Sequence, residues 1–127
     1  MGADARVGEV PGEYCPGAWS VNARAAVKLA GTGQRLIAGA AHRGAVIVVG
    51  RGDLVREALL PTYGALNLDW DPATAGSVQD EVAGVSVAQV EDAIIARLGE
   101  RYELAEARID ADTLALAERL ESEHAVP

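Results

Sequence analysis

The chain has 127 residues, 50% of them hydrophobic, so it is long enough for one buried core and too apolar for a disordered chain. The formal net charge of −8 argues against a nucleic-acid surface, because binding to phosphate backbones needs a basic patch. No apolar run reaches bilayer-spanning length and the N-terminus lacks the apolar core of a secretory signal, which predicts a cytoplasmic protein without a membrane partner. One cysteine and two histidines predict no internal disulfide and no metal site.

The first half of the chain has the pattern of strands. Residues 1–17 are rich in glycine and proline and are predicted to form a loop, followed by a short strand at residues 19–22. Alternation predicts a strand at residues 27–36, and residues 45–49 are apolar on both faces, which is typical of a central buried strand. The small residues between the two strands favour a hairpin or another short connection.

A helix is predicted after these strands. Asp53 is a candidate N-cap, with Leu54 and Ala58 facing inward and Leu59 as a further candidate for that face. Pro61 should end or kink the helix. Residues 67–80 show no sustained period and are predicted to form a surface loop anchored by Trp70.

Two further helices are predicted near the C-terminus. Ser86 and Gln89 form a capping-box signature for a helix that Gly99 should end. A last helix, at residues 112–123, has an apolar stripe that should be buried and an acidic opposite face. The element order predicts an α+β fold, a small sheet with packed helices.

Lys28 is the chain's only lysine, and it lies on the strand predicted at residues 27–36. A period of two places Lys28, Thr32 and Gln34 on one face. Gly31 and Gly33 on the other face suggest the close approach of a ligand or another backbone. The alternative from this pattern alone is an edge strand with a polar, solvated face.

Cys15 is the second candidate. Pro and Gly follow it directly, so it stands in a tight turn where its thiol could be exposed. A free cysteine that serves only in packing is the alternative, since no neighbouring residue in the sequence activates the thiol.

The segment at residues 13–22 (EYCPGAWSVN), followed by residues 27–35 (VKLAGTGQR), resembles the lipoate-protein ligase family and its octanoyl- or lipoyl-transferase relatives, in the biotin/lipoate protein ligase superfamily. Gly33 stands where the family usually has alanine. Residues 42–48 resemble the strand that follows the lysine strand in the family.

This resemblance implies a small mixed or antiparallel sheet with packed helices, like the second half of the family's catalytic domain. Residues 1–66 would form part of that domain, with the lysine strand, the next strand and a helix. Residues 67–127 would supply a loop and the C-terminal helical region of the same domain.

The resemblance also implies roles for particular residues. In the family the motif lysine contacts an acyl carbonyl and the phosphate of an acyl-adenylate, or the carbonyl of an acyl-enzyme thioester, and that role falls on Lys28. Cys15 matches the nucleophilic cysteine of the cofactor-independent relatives. The substrate-binding residues implied by the motif are Gly31, Thr32, Gly33, Gln34 and Arg35.

The implied function is transfer of a lipoyl or octanoyl group from a lipoate or octanoate donor to a lysine of a lipoyl domain or a glycine-cleavage H-type protein. Transfer through a Cys15 thioester would need no cofactor, whereas a ligase would need ATP and magnesium. The sequence leaves both mechanisms open.

The family's Arg-Arg-x-x-Gly-Gly segment normally lies upstream of the matched residues, so the resemblance implies a C-terminal portion whose activity alone is incomplete. Such a chain is expected to associate with an upstream half-domain partner or with itself. The alternatives are a non-catalytic accessory or binding module and an inactive fragment.

Overall fold

The structure, a computed structural model, describes residues 2–125 and has the predicted α+β fold. A four-stranded antiparallel sheet is accompanied by four α-helices and one 3-10 turn within these residues. The elements are β1 (Ala5–Val7), β2 (Val21–Ala23), β3 (Val27–Ile37), β4 (Ala40–Ile47), α1 (Gly52–Ala65), the 3-10 turn (Pro72–Thr74), α2 (Val78–Glu81), α3 (Val87–Gly99) and α4 (Ala111–His124).

The sheet has the order β1-β2-β3-β4, so each strand pairs with its neighbour in sequence. The predicted hairpin is confirmed: β3 and β4 pair from Ala30 and Ile47 out to Ile37 and Ala40. Its turn residues, Ala38 and Gly39, have φ of 47° and 81°. Two positive φ values match the twist of the strands that a two-residue hairpin turn joins.

The prediction of a central buried strand at residues 45–49 is wrong. Strand β4 spans Ala40–Ile47 and lies at the edge of the sheet, where Val46 is 74% exposed. An apolar strand pattern does not show whether other segments will pack on both faces of the strand, because those segments are distant in sequence.

A β-bulge interrupts β3 at its buried end. Val21 pairs with Ala30 and Asn22 with Lys28, which leaves Leu29 as the extra residue. Lys28, Leu29 and Ala30 are all buried, so the strict alternation predicted for this strand does not hold there.

Helix α1 begins and ends at other residues than predicted. Its N-cap position is Arg51, with φ of 58°, rather than Asp53. The helix continues through Pro61 to Ala65. Pro61 lacks the N–H that an interior helical residue would donate, and the helix continues for four residues beyond it.

The inward face of α1 differs in part from the prediction. Leu54 and Ala58 are exposed, whereas Leu59, the further candidate, is half-buried, as is Val55, and Tyr63 is buried. These last three residues follow the i, i+4, i+8 row of a helix. The row directs Tyr63 inward.

The segment predicted as a surface loop is largely buried where it passes the sheet. Ala75 forms a parallel bridge with Lys28, and the Val78 N–H donates to the carbonyl of Val48 (2.8 Å). The backbone N–H and C=O groups of this segment are thereby satisfied beside the strands, which a pattern search within residues 67–80 does not detect.

Helix α3 confirms the predicted capping box. The Ser86 N–H donates to Gln89 Oε1 (2.9 Å) and the Gln89 N–H donates to Ser86 Oγ (3.2 Å). The helix ends at Gly99, as predicted. Its buried residue Val90 belongs to the hydrophobic cluster made by Val78, Val85 and Val90, against which Ile47, Val49 and Val82 pack.

The chain divides into two compact units, Met1–Ala93 and Ile94–Pro127. The second contains α4, whose N-cap Asp110 accepts a hydrogen bond from the Thr113 N–H (2.7 Å). The predicted burial of its apolar stripe is wrong, since Leu116 is 45% exposed and no described residue of α4 is buried. A unit below about 40 residues rarely buries a core of its own.

Among residues 2–125, no helix combines the length and the apolar character that crossing a bilayer requires.

Candidate functional site

The first part of the site is a loop, residues 10–20, folded around one carboxylate. Glu13 Oε2 accepts a hydrogen bond from the Val10 N–H (3.1 Å), and Oε1 accepts from the Gly17 N–H (3.2 Å) and from Ser20 Oγ (2.5 Å). The Glu13 side chain is completely buried. We call residues 10–20 the Cys15 loop; Glu13 gives this irregular segment a defined conformation.

Hydrogen bonds from Lys28 connect the Cys15 loop to strand β3. Its ammonium donates to Glu13 Oε1 (3.2 Å), to the carbonyl of Tyr14 (2.9 Å) and to the carbonyl of Cys15 (2.6 Å). The nitrogen also lies 4.9 Å from the centre of the Tyr14 ring. An ammonium has three hydrogens, so in this conformation all of them have acceptors within the chain. Lys28 is 2% exposed, and its donors are directed at the loop.

The Glu13 carboxyl is ionised at neutral pH. Burial alone raises the pKa of the Glu13 carboxyl, but the hydrogen bonds from Ser20 and Val10 and the Lys28 ammonium outweigh it, so the pKa is lowered. A buried ion pair of this kind costs desolvation and depends on every remaining hydrogen bond being made.

Cys15 is held at its backbone while its side chain is exposed. Its φ of 42° lies in the left-handed region, which costs a non-glycine residue about 1–2 kcal/mol. The Cys15 N–H donates to the Tyr63 hydroxyl (2.7 Å), and its carbonyl accepts from Lys28. The Tyr63 hydroxyl in turn donates to Cys15 Sγ (3.6 Å). Backbone strain held by neighbouring groups in this way is typical of functional turns.

Aromatic residues line the same region. The rings of Tyr14 and Tyr63 lie 6.1 Å and 5.2 Å from that of the half-buried Trp70. Burial raises the pKa of the Tyr63 hydroxyl, and its hydrogen bond to Cys15 raises that pKa further. The hydroxyl therefore keeps its proton at neutral pH and can donate to sulfur.

Among the predicted site residues, the structure brings Cys15 and Lys28 together. Thr32 lies at the margin, where its hydroxyl donates to the Trp19 carbonyl (2.8 Å). Gly31 is half-exposed, and a Cβ placed on it would lie 3.8 Å from Cε of Lys28, an ordinary contact.

The other predicted substrate-binding residues lie farther along the hairpin. Gly33, Gln34 and Arg35 are exposed, and a Cβ on Gly33 would meet nothing within 4 Å among the described residues. The close approach that the two glycines suggested is therefore not made by any residue within 2–125.

Three contributors to the site were absent from the sequence-based prediction of site residues. Glu13 lies inside the quoted motif, and Trp70 was predicted only as a loop anchor. Tyr63 is 48 residues from Cys15. Only the row that it shares with Val55 and Leu59 on α1 could have indicated its inward position.

In the observed conformation the Lys28 ammonium is engaged within the chain and does not face an open phosphate position. Within the part of the chain that the structure describes, no group of three or more His, Cys, Asp or Glu side chains is arranged to hold a metal ion. The ammonium that would meet a phosphate, Lys28, donates instead to Glu13 and two carbonyls. The expectation of ATP and magnesium for a ligase stays a prediction.

Tyr63→Phe is expected to lower the free energy of unfolding by about 1–3 kcal/mol, because the part-buried Cys15 N–H loses its acceptor. Urea unfolding followed by tryptophan fluorescence measures this. Tyr14→Phe is the matched control, since it removes a hydroxyl but keeps the ring that packs against Trp70, and we expect it to change stability by less than about 0.5 kcal/mol. Equal stability of the two variants would contradict the role given to Tyr63.

No protein-family model matches the sequence, and no curated protein matches it.

Proposed function

We propose that Cys15 carries a lipoyl or octanoyl group as a thioester and that the group passes from there to a lysine of a lipoyl domain or a glycine-cleavage H-type protein. One observation carries the proposal. The backbone of Cys15 is held in a strained turn by Lys28 and Tyr63, while its thiol is exposed. The motif resemblance around residues 13–35 supplies the substrate class.

The first step is a thioester exchange. The Cys15 sulfur, as thiolate, attacks the carbonyl carbon of a donor acyl thioester, and a new carbon–sulfur bond forms. The donor's carbon–sulfur bond breaks, and its sulfur leaves as a thiolate that takes up the proton given up by Cys15. No oxidant and no ATP are needed, because one thioester replaces another.

The second step is aminolysis. The neutral amine of the acceptor lysine attacks the Cys15 thioester carbonyl, and a carbon–nitrogen bond forms. The bond to sulfur breaks, and the proton released by the amine returns to Cys15. The products are an acylated lysine and a free thiol.

The residues around Cys15 contribute by holding its backbone and sulfur in place. Lys28 holds the carbonyl of Cys15, and Tyr63 holds its N–H and its sulfur. A nucleophile fixed in this way needs less reorganisation when an acyl group arrives. Glu13 keeps Lys28 and the Cys15 loop together.

Octanoyl acyl carrier protein as donor and an unmodified lipoyl domain as acceptor test the proposal with the full chain. We expect an octanoyl adduct in the intact mass of the wild-type chain. Cys15→Ser should lose this adduct and reduce ATP-independent transfer by at least about 10³-fold. Arg6→Gln, an exposed change on β1, should retain both.

Two outcomes would overturn the thioester mechanism. One is the absence of any adduct on the wild-type chain. The other is ATP-dependent octanoylation that survives in Cys15→Ser, which would favour adenylation by a ligase.

A second candidate function is a non-catalytic module that binds the acceptor protein. The three internal acceptors of Lys28 favour it, because they make this lysine a structural group in the observed conformation. Binding of the lipoyl domain without any Cys15 adduct would support this candidate.

A further inference from the structure

The outer part of the β3–β4 hairpin, residues 32–46, is an exposed ribbon that we call the arm. Every residue of the arm is exposed, including Leu36 (71%), Ile37 (52%) and Val46 (74%). A two-stranded ribbon without cover is marginally stable in water by itself. Leu36 lies on one face of the ribbon and Ile37 on the other, so both faces offer an apolar side chain to a partner.

The arm is also basic in an acidic protein. Residues 14–52 contain no aspartate or glutamate, so all 19 carboxylates of the chain lie before or after this stretch. Arg35 pairs across the strands with His42, and Gln34 with Arg43. In the described residues neither arginine of the arm forms an ion pair. These cations are available to carboxylates from outside the chain.

We propose that the arm is a docking surface for an acidic protein, which extends the sheet at the free edge of β4 and places carboxylates against Arg35 and Arg43. Resting on the proposed function, we identify this partner as the acceptor that receives the acyl group. Arg35 shares one face of the ribbon with Ile37, and Arg43 shares the other face with Leu36. Each face therefore offers a cation beside an apolar side chain, which fits a partner with acidic side chains around an apolar contact.

The geometry connects the arm to the Cys15 loop. Thr32, at the base of the arm, donates to the carbonyl of Trp19 in that loop. Arg35 lies seven residues beyond Lys28, which is about 23 Å along an extended strand at ~3.3 Å per residue. A small domain docked along the arm therefore reaches Cys15.

The edge of β4 favours a protein over other anionic partners. In the part of the chain that the structure describes, strand β4 pairs only with β3, so the backbone groups on its other side can pair with a further strand. Neither a lipid nor a nucleic acid supplies such a strand. Pairing of β4 with a second copy of this chain is disfavoured, because it would bring two sets of Arg43 and His42 together.

The test compares two double variants that remove the same charge. Arg35→Gln with Arg43→Gln neutralises the arm, whereas Arg6→Gln with Arg51→Gln removes two exposed arginines elsewhere, each paired with a neighbouring aspartate. Binding of an unmodified lipoyl domain is measured by calorimetry at several salt concentrations. We expect the arm variant to bind at least about tenfold more weakly, with a smaller salt dependence, and the control to bind within about twofold of wild type.

Several results would overturn the proposal. They are no binding by the wild-type chain, equal weakening in both double variants, or an unchanged affinity of the arm variant. Tighter arm-dependent binding to vesicles containing phosphatidylserine, or to duplex DNA, would assign the arm to a different partner. Dissociation of a wild-type dimer by the arm substitutions would assign the arm to self-association.

The same variants separate this inference from the proposed chemistry. If Cys15 is acylated and the arm variant transfers the group with an unchanged KM, the docking inference alone fails. If arm-dependent binding is found but no adduct forms on Cys15, the thioester chemistry alone fails.

Discussion

Lys28→Met is expected to lower the free energy of unfolding by about 3–5 kcal/mol, because it leaves the Glu13 carboxylate buried without its cation. Methionine has a similar length, so the loss comes from the charge and from the hydrogen bonds to Tyr14 and Cys15. Urea unfolding measures the change through the fluorescence of the chain's two tryptophans.

Two further variants show whether the buried charge is the cause. Lys28→Met combined with Glu13→Gln should be more stable than Lys28→Met alone, because the unpaired charge is removed. Arg6→Gln breaks an ion pair whose side chains are each 54% exposed, and it should cost less than about 1 kcal/mol. A loss below about 1 kcal/mol for Lys28→Met would show that the pair does not anchor the Cys15 loop.

Glu13→Gln is expected to cost about 3 kcal/mol or more at pH 7, and the cost should shrink in acid. Folding lowers the pKa of Glu13 from its ordinary value of 4.5. A carboxyl with a lowered pKa stabilises the fold above its unfolded pKa, and this contribution is lost as the pH falls through the folded value. The wild-type chain should therefore lose more stability than Glu13→Gln below about pH 4.5.

Urea unfolding midpoints of the wild-type chain and of Glu13→Gln, measured at several pH values from neutral to strongly acidic, test this expectation. Asp53→Asn is the matched control, since the pKa of Asp53 is also lowered by its neighbour Arg51 but both side chains are exposed. We expect little difference between that variant and wild type at any pH. A stability difference between wild type and Glu13→Gln that does not change with pH would contradict the assignment of the ionised form.

Local elements could be predicted from the sequence because neighbouring residues contain their signals. The Ser86–Gln89 capping box and the hairpin between β3 and β4 are examples. Each depends on backbone groups a few residues apart. The edge position of β4 was not predictable in this way, because it depends on which other segments reach that side of the sheet.

The candidate site shows the same division. The sequence indicated Cys15 and Lys28 as site residues. The structure brings them together, with 2.6 Å between the Lys28 ammonium nitrogen and the Cys15 carbonyl oxygen. The sequence did not indicate that Lys28 donates all three hydrogens within the chain, nor that Tyr63 contacts Cys15. Those contacts join residues from a loop, a strand and a helix.

By itself the sequence determined the α+β class, the lysine strand, its hairpin and the position of a cysteine in a tight turn. Short-range patterns were enough for these features, because helix periods, strand alternation and turn residues act over a few positions. Only the tertiary structure decided that Glu13 accepts the hydrogen bonds that order the Cys15 loop, that Tyr63 binds the backbone of Cys15 and that the arm is exposed. Burial and hydrogen-bond pairing between distant segments set these features, and neither is encoded in any local stretch of the chain.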